Sequence, residues 1–119
     1  MRTVADEMLD PVIVEASATI QGASATMLDG RSGAAIVVEK GKLRGLVSAA
    51  DVARALAEGL DPTETPVGAI LGAAPPRARD DEALAEVHQR MRAQQRPLAV
   101  VVGRDGRPVG LLADHEAAP

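Results

Sequence analysis

The chain has 119 residues, 46% of them apolar, and 17 acidic against 13 basic side chains give it a net charge of −4. That length suits one ordinary domain or two small repeats sharing a core. There is no Cys, Phe, Tyr or Trp, which excludes disulfides, thiolate metal sites and base stacking on aromatic rings, while the acidic balance argues against a nucleic-acid surface.

Met1 to Glu7 has no apolar signal core and is acidic where a transit peptide would not be. No later run approaches the ~18 apolar residues that span a membrane. The expectation is a whole, soluble, cytoplasmic protein. Thr3 can cap a short helix with Val4, Met8 and Leu9 on one side, ended by Asp10-Pro11. Val12-Ile13-Val14 is a short strand. Ser17 to Thr19 open a helix bearing Ile20, Ala23 and Met27, and Asp29-Gly30 stops it. Ala34 to Val38 is an unbroken apolar run, as in a strand covered on both faces. Glu39 to Lys42 turns the chain, and Leu43 to Ser48 returns. The helix from Ala49 shows Val52, Leu56 and Leu60 at four-residue spacing. Asp61 to Pro66 is a linker.

The pattern then starts over. Val67 to Leu71 reads as a short helix, and Arg77-Ala78-Arg79 as a poor strand. Asp80 is placed to cap a helix bearing Leu84, Val87 and Met91. Pro97 to Val102 is an apolar strand, Arg104 to Arg107 a hairpin turn, and Val109 to Leu112 the returning strand. Val4 matches Val67, Ile20 Leu84, Met27 Met91 and Gly45 Gly110, at offsets of 63 to 65 residues. The chain is therefore read as two repeats, residues 1–60 and 61–119. They are expected to pack about a pseudo-twofold axis with clefts between them. Too few residues follow Leu112 for a full closing helix in the second.

The chemistry concentrates at Gly45-Leu46-Val47-Ser48-Ala49-Ala50-Asp51, where strand passes into helix. A hydroxyl and a carboxylate three residues apart at a helix start form a capping box. The same place suits a ligand carrying ribose or phosphate. No nucleophile elbow, Walker loop or dinucleotide-binding glycine fingerprint is present. His88 reads as a solvated side chain. Asp114-His115-Glu116 is too local to close a metal site unaided. The expectation is no catalytic activity and no metal.

Element order, together with Gly-apolar-apolar-Ser-x-x-Asp at the last strand–helix junction, resembles the cystathionine-β-synthase (CBS) domain. Gly33 and Ala34 to Val38 also fit. Two such repeats resemble a Bateman module. The resemblance implies a mixed α/β (α+β) fold with a small three-stranded sheet and flanking helices per repeat. It implies an adenosine ligand: AMP, ADP or ATP, with S-adenosylmethionine and NAD also possible. By the same resemblance Asp51 takes the ribose hydroxyls, Ser48 helps hold ribose or phosphate, and Leu46 lies beside the base. Ala74 and Pro75 would face them, Arg96 would meet phosphate, and His115 would lie within reach. The second repeat departs from the pattern, with Ala113 for the hydroxyl and Glu116 for the acid. One competent and one degenerate cleft are expected. Pairing as a homodimer through the helices Ile20–Leu28 and Leu84–Met91, and an unidentified regulated protein, are implied too. The alternative is a ligand-free dimerisation scaffold. Neither nucleic acid nor membrane is an expected partner.

Overall fold

The computed structural model describes residues 1–30 and 33–117, apart from the side chain of His115. The elements run α1 (Val4–Glu7), β1 (Ile13–Glu15), α2 (Ile20–Met27), β2 (Ala34–Glu39), β3 (Lys42–Ser48) and α3 (Ala49–Ala57). A 3-10 turn (Val67–Ala69) leads into β4 (Arg77–Arg79), α4 (Leu84–Ala93), β5 (Leu98–Val102) and β6 (Pro108–Ala113), and a second 3-10 turn covers His115–Ala117.

Two three-stranded sheets result, in the orders β1-β2-β3 and β4-β5-β6. In each, the first strand is parallel to the second and the second antiparallel to the third. Each middle strand shifts register once against its returning neighbour, at Val37/Val38 and at Val101/Val102. A mixed α/β fold of two similar halves is what the repeat implies, and the matched bulges extend that likeness to fine detail.

The chain packs as two compact units, a central one of Val12–Ala74 and a terminal one of Met1–Pro11 with Pro75–Pro119. These differ from the sequence repeats 1–60 and 61–119. The first eleven residues, the start of the first repeat, pack with the strands of the second. The backbone N–H groups of Val4 and Ala5 donate to the carbonyls of Glu82 and Asp80, each at 3.0 Å. Leu9 and Leu111 exchange two backbone hydrogen bonds, and the Val4 side chain is fully buried in that unit's core. The central unit repeats the device with the start of the second repeat. Val67 donates to the Ala18 carbonyl at 2.7 Å and is fully buried beside Ile20 and Val47. Burying a valine contributes about 1.5–2 kcal/mol, so each leading segment is anchored by side chain as well as backbone.

Local sequence explains most elements. Thr19 caps α2, its hydroxyl accepting from Gly22 N–H at 3.1 Å. Ile20, Ala23 and Met27 form its buried face. In β2 every residue from Ala34 to Val38 is buried, as a strand covered on both faces requires.

Two expectations are corrected. α4 has Ala83, not Asp80, at its N-cap position. The acidic turn before it serves otherwise: the Glu82 carboxylate accepts from Arg79 N–H at 2.9 Å and from Arg90 at 3.0 Å. In α3 the buried positions are Asp51 and Ala55, with Val52 partly buried and Leu56 half-exposed. The cap at Ser48 sets the rotation of this helix, and small Ala55 lets it lie close on the sheet.

The two strand glycines differ in what they admit. A Cβ at Gly45 would meet only the end of the Leu71 side chain, at 3.3 Å. A Cβ at Gly110 would stand 2.8 Å from Met8 Sδ and 3.0 Å from the Leu9 carbonyl oxygen. Backbone cannot yield as a side-chain tip can. Gly110→Ala is expected to destabilise by about 2 kcal/mol, and Gly45→Ala by less than about 0.5 kcal/mol. Urea titrations of the two variants compare them directly; equal losses would contradict this account of the Leu9–Leu111 pairing.

Candidate functional site

β3 runs into α3 with no intervening loop. Ser48 ends the strand in an extended conformation (φ −117°, ψ 168°) and is also the N-cap. Its hydroxyl oxygen accepts from Asp51 N–H at 3.3 Å. In return Asp51 Oδ2 accepts from Ser48 N–H at 2.8 Å and from the Ser48 hydroxyl at 3.0 Å. This is a complete capping box. Asp51 Oδ1 accepts a third bond, from Arg54 Nη2 at 2.8 Å. The carboxylate is 12% exposed and the arginine side chain 54%.

Beside this carboxylate lies a pocket of about 190 Å³, lined by Asp51, Arg54, Ala55, Glu58, Leu60, Ala69, Ile70 and Leu71. All these residues belong to the central unit. A Cβ at Gly72 would stand 3.2 Å from Asp51 Oδ1, so the acid is closely faced by backbone. Ordinary ligand pockets measure about 300–1,000 Å³. This one is smaller, with room for a group no larger than a sugar. A second pocket of about 230 Å³, lined by Ser24, Met27, Leu28, Gly33, Ala49 and Val52, offers no ionisable group.

The structure brings Ser48 and Asp51 together as their spacing implies. Leu46, in the same unit, is buried opposite Ile36 in the register of β2 and β3. Ala74 ends that unit and is exposed, whereas Pro75 opens the terminal stretch and is buried. Arg96, in the terminal unit, is half-buried, its backbone N–H donating to the Met91 carbonyl at 3.0 Å. The side chain of His115 lies outside the described residues. Arg54 and the wall from Ala69 to Gly72 were not singled out from sequence. An arginine three residues beyond an acid on a helix is a legible pairing signal. The wall follows from tertiary packing and leaves no local signature.

The second motif is built differently. Asp114 Oδ1 accepts from Glu116 N–H at 3.1 Å, and Oδ2 from Arg92 Nε at 2.9 Å. Glu116, at the position of Asp51, pairs with Arg92 Nη2 at 2.9 Å. The guanidinium here comes from α4 and not from the following helical turn. Burial pushes the Asp114 carboxyl up. The Arg92 hydrogen bond, the Glu116 N–H and the charges of His88 and Arg92 outweigh that and hold it below the ordinary carboxylate value. His88 is not the solvated side chain its polar neighbours suggest. It is 22% exposed, its Nδ1 lies 4.0 Å from Asp114 Oδ2, and its Nε2 is buried without a hydrogen-bond partner among the described residues. α4 packs on the C-terminal 3-10 turn. Among the described residues no three His, Cys, Asp or Glu gather in a group able to hold a metal ion. No described helix is long and apolar enough to cross a membrane.

Residues 3–58 match the family model of the CBS domain. No curated protein matches the sequence. Among solved structures, a CBS-domain protein of Pyrobaculum aerophilum complexed with AMP superposes with a TM-score of 0.83 at 25% identity, over 94% of this chain and 87% of that one. Hypoxic Response Protein I, with two coordinated zinc ions, gives 0.81 at 24% identity over 97% and 95% of the two chains. CBSX2 in complex with AMP gives 0.76 at 20% identity over 98% and 93%.

The Asp114 cluster has a consequence in acid. A carboxyl held below its unfolded value, about 3.9, contributes stability above that pH and loses it as pH falls through the folded value. Asp114→Asn is expected to cost about 1 kcal/mol at pH 7, where the charged bond to Arg92 is lost. It should also flatten the fall in stability below about pH 4. Urea midpoints of wild type and variant between pH 7 and pH 3 check both; parallel pH curves would remove Asp114 from the acid limb.

Proposed function

Since the chain belongs to the CBS-domain family and has the fold of paired CBS domains, we propose that it is a cytoplasmic regulatory module that binds an adenine nucleotide, with the sugar hydroxyls on Asp51. The observation that carries this reading is the Asp51 carboxylate, nearly buried yet lining a small pocket together with Arg54. An ionised acid held in place is a ready acceptor for a sugar hydroxyl, and a hydrogen bond to a charged group is the stronger kind. The AMP complexes of the Pyrobaculum protein and of CBSX2 support the ligand class. AMP is the first ligand to try; ADP, ATP, S-adenosylmethionine and NAD share its adenosine part. Leu46 beside the base, and Ala74, Pro75, Arg96 and His115 as further ligand residues, are carried over from the family resemblance as parts of the proposal. So is one competent site per chain, because Glu116 is engaged by Arg92 where Asp51 faces a pocket.

Occupancy would be passed to a partner protein, with the module acting as a pair of copies. The apolar stripes of α2 and α4 are used inside their own units. Pairing would therefore draw on exposed apolar residues such as Leu28 and Leu56. A second reading, a scaffold without ligand, is favoured by the three internal donors that already satisfy Asp51.

With no aromatic side chain, the protein absorbs little at 260–280 nm, so bound nucleotide shows directly as a 260 nm band on the purified protein. Isothermal calorimetry with AMP is expected to give one site per chain, and a thermal shift should rise with ligand concentration by mass action. Asp51→Ala is expected to lower the affinity at least tenfold. No heat and no shift with any of the five ligands would leave the scaffold reading standing.

A further inference from the structure

The donors around Asp51 can be counted against its capacity. A carboxylate offers about four lone-pair sites, two on each oxygen. Oδ2 is filled by the Ser48 N–H and hydroxyl, and both bonds belong to the helix cap. Among the described residues Oδ1 holds one bond, from Arg54. A cis-diol needs two acceptor sites, and with Arg54 in place only one remains. The cap is short-range and encoded in adjacent backbone. Arg54 is a half-exposed side chain on a flexible stem, so it is the partner that can leave.

Where it goes is decided by the pocket's charges. Its ionisable lining residues are Asp51, Arg54 and Glu58. A phosphate brought in with the sugar meets two carboxylates and one cation. A guanidinium has five N–H donors in a planar fork suited to phosphate oxygens.

We propose that Arg54 is a specificity residue of this site: it yields Asp51 Oδ1 to a sugar hydroxyl and pairs with the phosphate of the same ligand. The inference rests on the nucleotide-binding reading above and goes beyond it. Arg54 makes the site select phosphorylated over unphosphorylated nucleosides. An uncharged nucleoside breaks the Asp51–Arg54 pair and returns nothing to the arginine. A nucleotide exchanges one charged partner for another.

The test is calorimetry of AMP and adenosine on wild type, Arg54→Gln and Arg54→Lys, at low and high salt, with unliganded melting curves verifying that each variant is folded. Wild type should prefer AMP. Arg54→Gln should weaken AMP by about tenfold, in the range of a lost charged hydrogen bond, while adenosine binds as tightly as before or about twofold tighter. Arg54→Lys should keep part of the preference. Added salt should erode the AMP preference of wild type and leave that of Arg54→Gln little changed. If Arg54→Gln weakens AMP and adenosine by the same factor, or changes neither, the exchange is wrong and the nucleotide reading survives. If wild type binds AMP and adenosine equally, the proposal also falls. If wild type binds neither compound, both readings fall together.

Discussion

The reciprocal bond between Ser48 and Asp51 does two jobs at one point of the chain. It satisfies free N–H groups at the start of α3, and it fixes where a carboxylate sits. A strand that passes into a helix without a loop leaves its junction little freedom, so the rotation of α3 follows from the cap. That rotation turns Asp51 and Ala55 inward and leaves Leu56 half in water. The rest of the pocket is arranged around an acid whose position the backbone has already decided. Thr3 and Asp6 make the same three-residue bond at α1, with the Thr3 N–H donating to Asp6 at 2.8 Å. There the acid is exposed. The local motif is thus a cap in both places, and only the surroundings make one of them a candidate site.

Packing of the leading segments is the second constraint. Val4 and Val67 are each fully buried, each at the start of a repeat, and each in the unit that holds the strands of the other repeat. Gly110 lets the Met8–Leu9 backbone come against β6. In the central unit the chain after Val67 continues as Ala69 to Gly72, which is the wall opposite Asp51. The pocket is therefore made by a segment belonging in sequence to the second repeat, set against a helix of the first.

The two strand–helix junctions show how one scaffold is used twice with different results. Each brings an arginine to a carboxylate. In the central unit it arrives from three residues along the same helix and, among the described residues, is the one donor to Oδ1. In the terminal unit Arg92 comes from α4, bonds both Asp114 and Glu116, and ties the last turn down. The first arrangement keeps a carboxylate available beside a pocket. The second consumes its acids in holding the end of the chain.

The sequence by itself determined the mixed α/β class, the order of elements, the two-fold repetition and the Ser48–Asp51 pair. All of these rest on near-neighbour chemistry: apolar periodicity, caps and turn residues act within a few positions and are written there. It misplaced the N-cap of α4, which falls on Ala83, three residues beyond Asp80. It also misjudged His88, whose polar neighbours in sequence do not reveal its burial beside Asp114. Arg54 was visible as a helical partner of Asp51, but its importance depends on the pocket beside it. That pocket, the exchange of leading segments and the tie between Arg92 and the last turn were decided only by tertiary structure. Each joins residues far apart in the chain, up to the Leu9–Leu111 pair, and burial of a valine or the reach of an arginine across such a gap leaves no periodic trace in the chain.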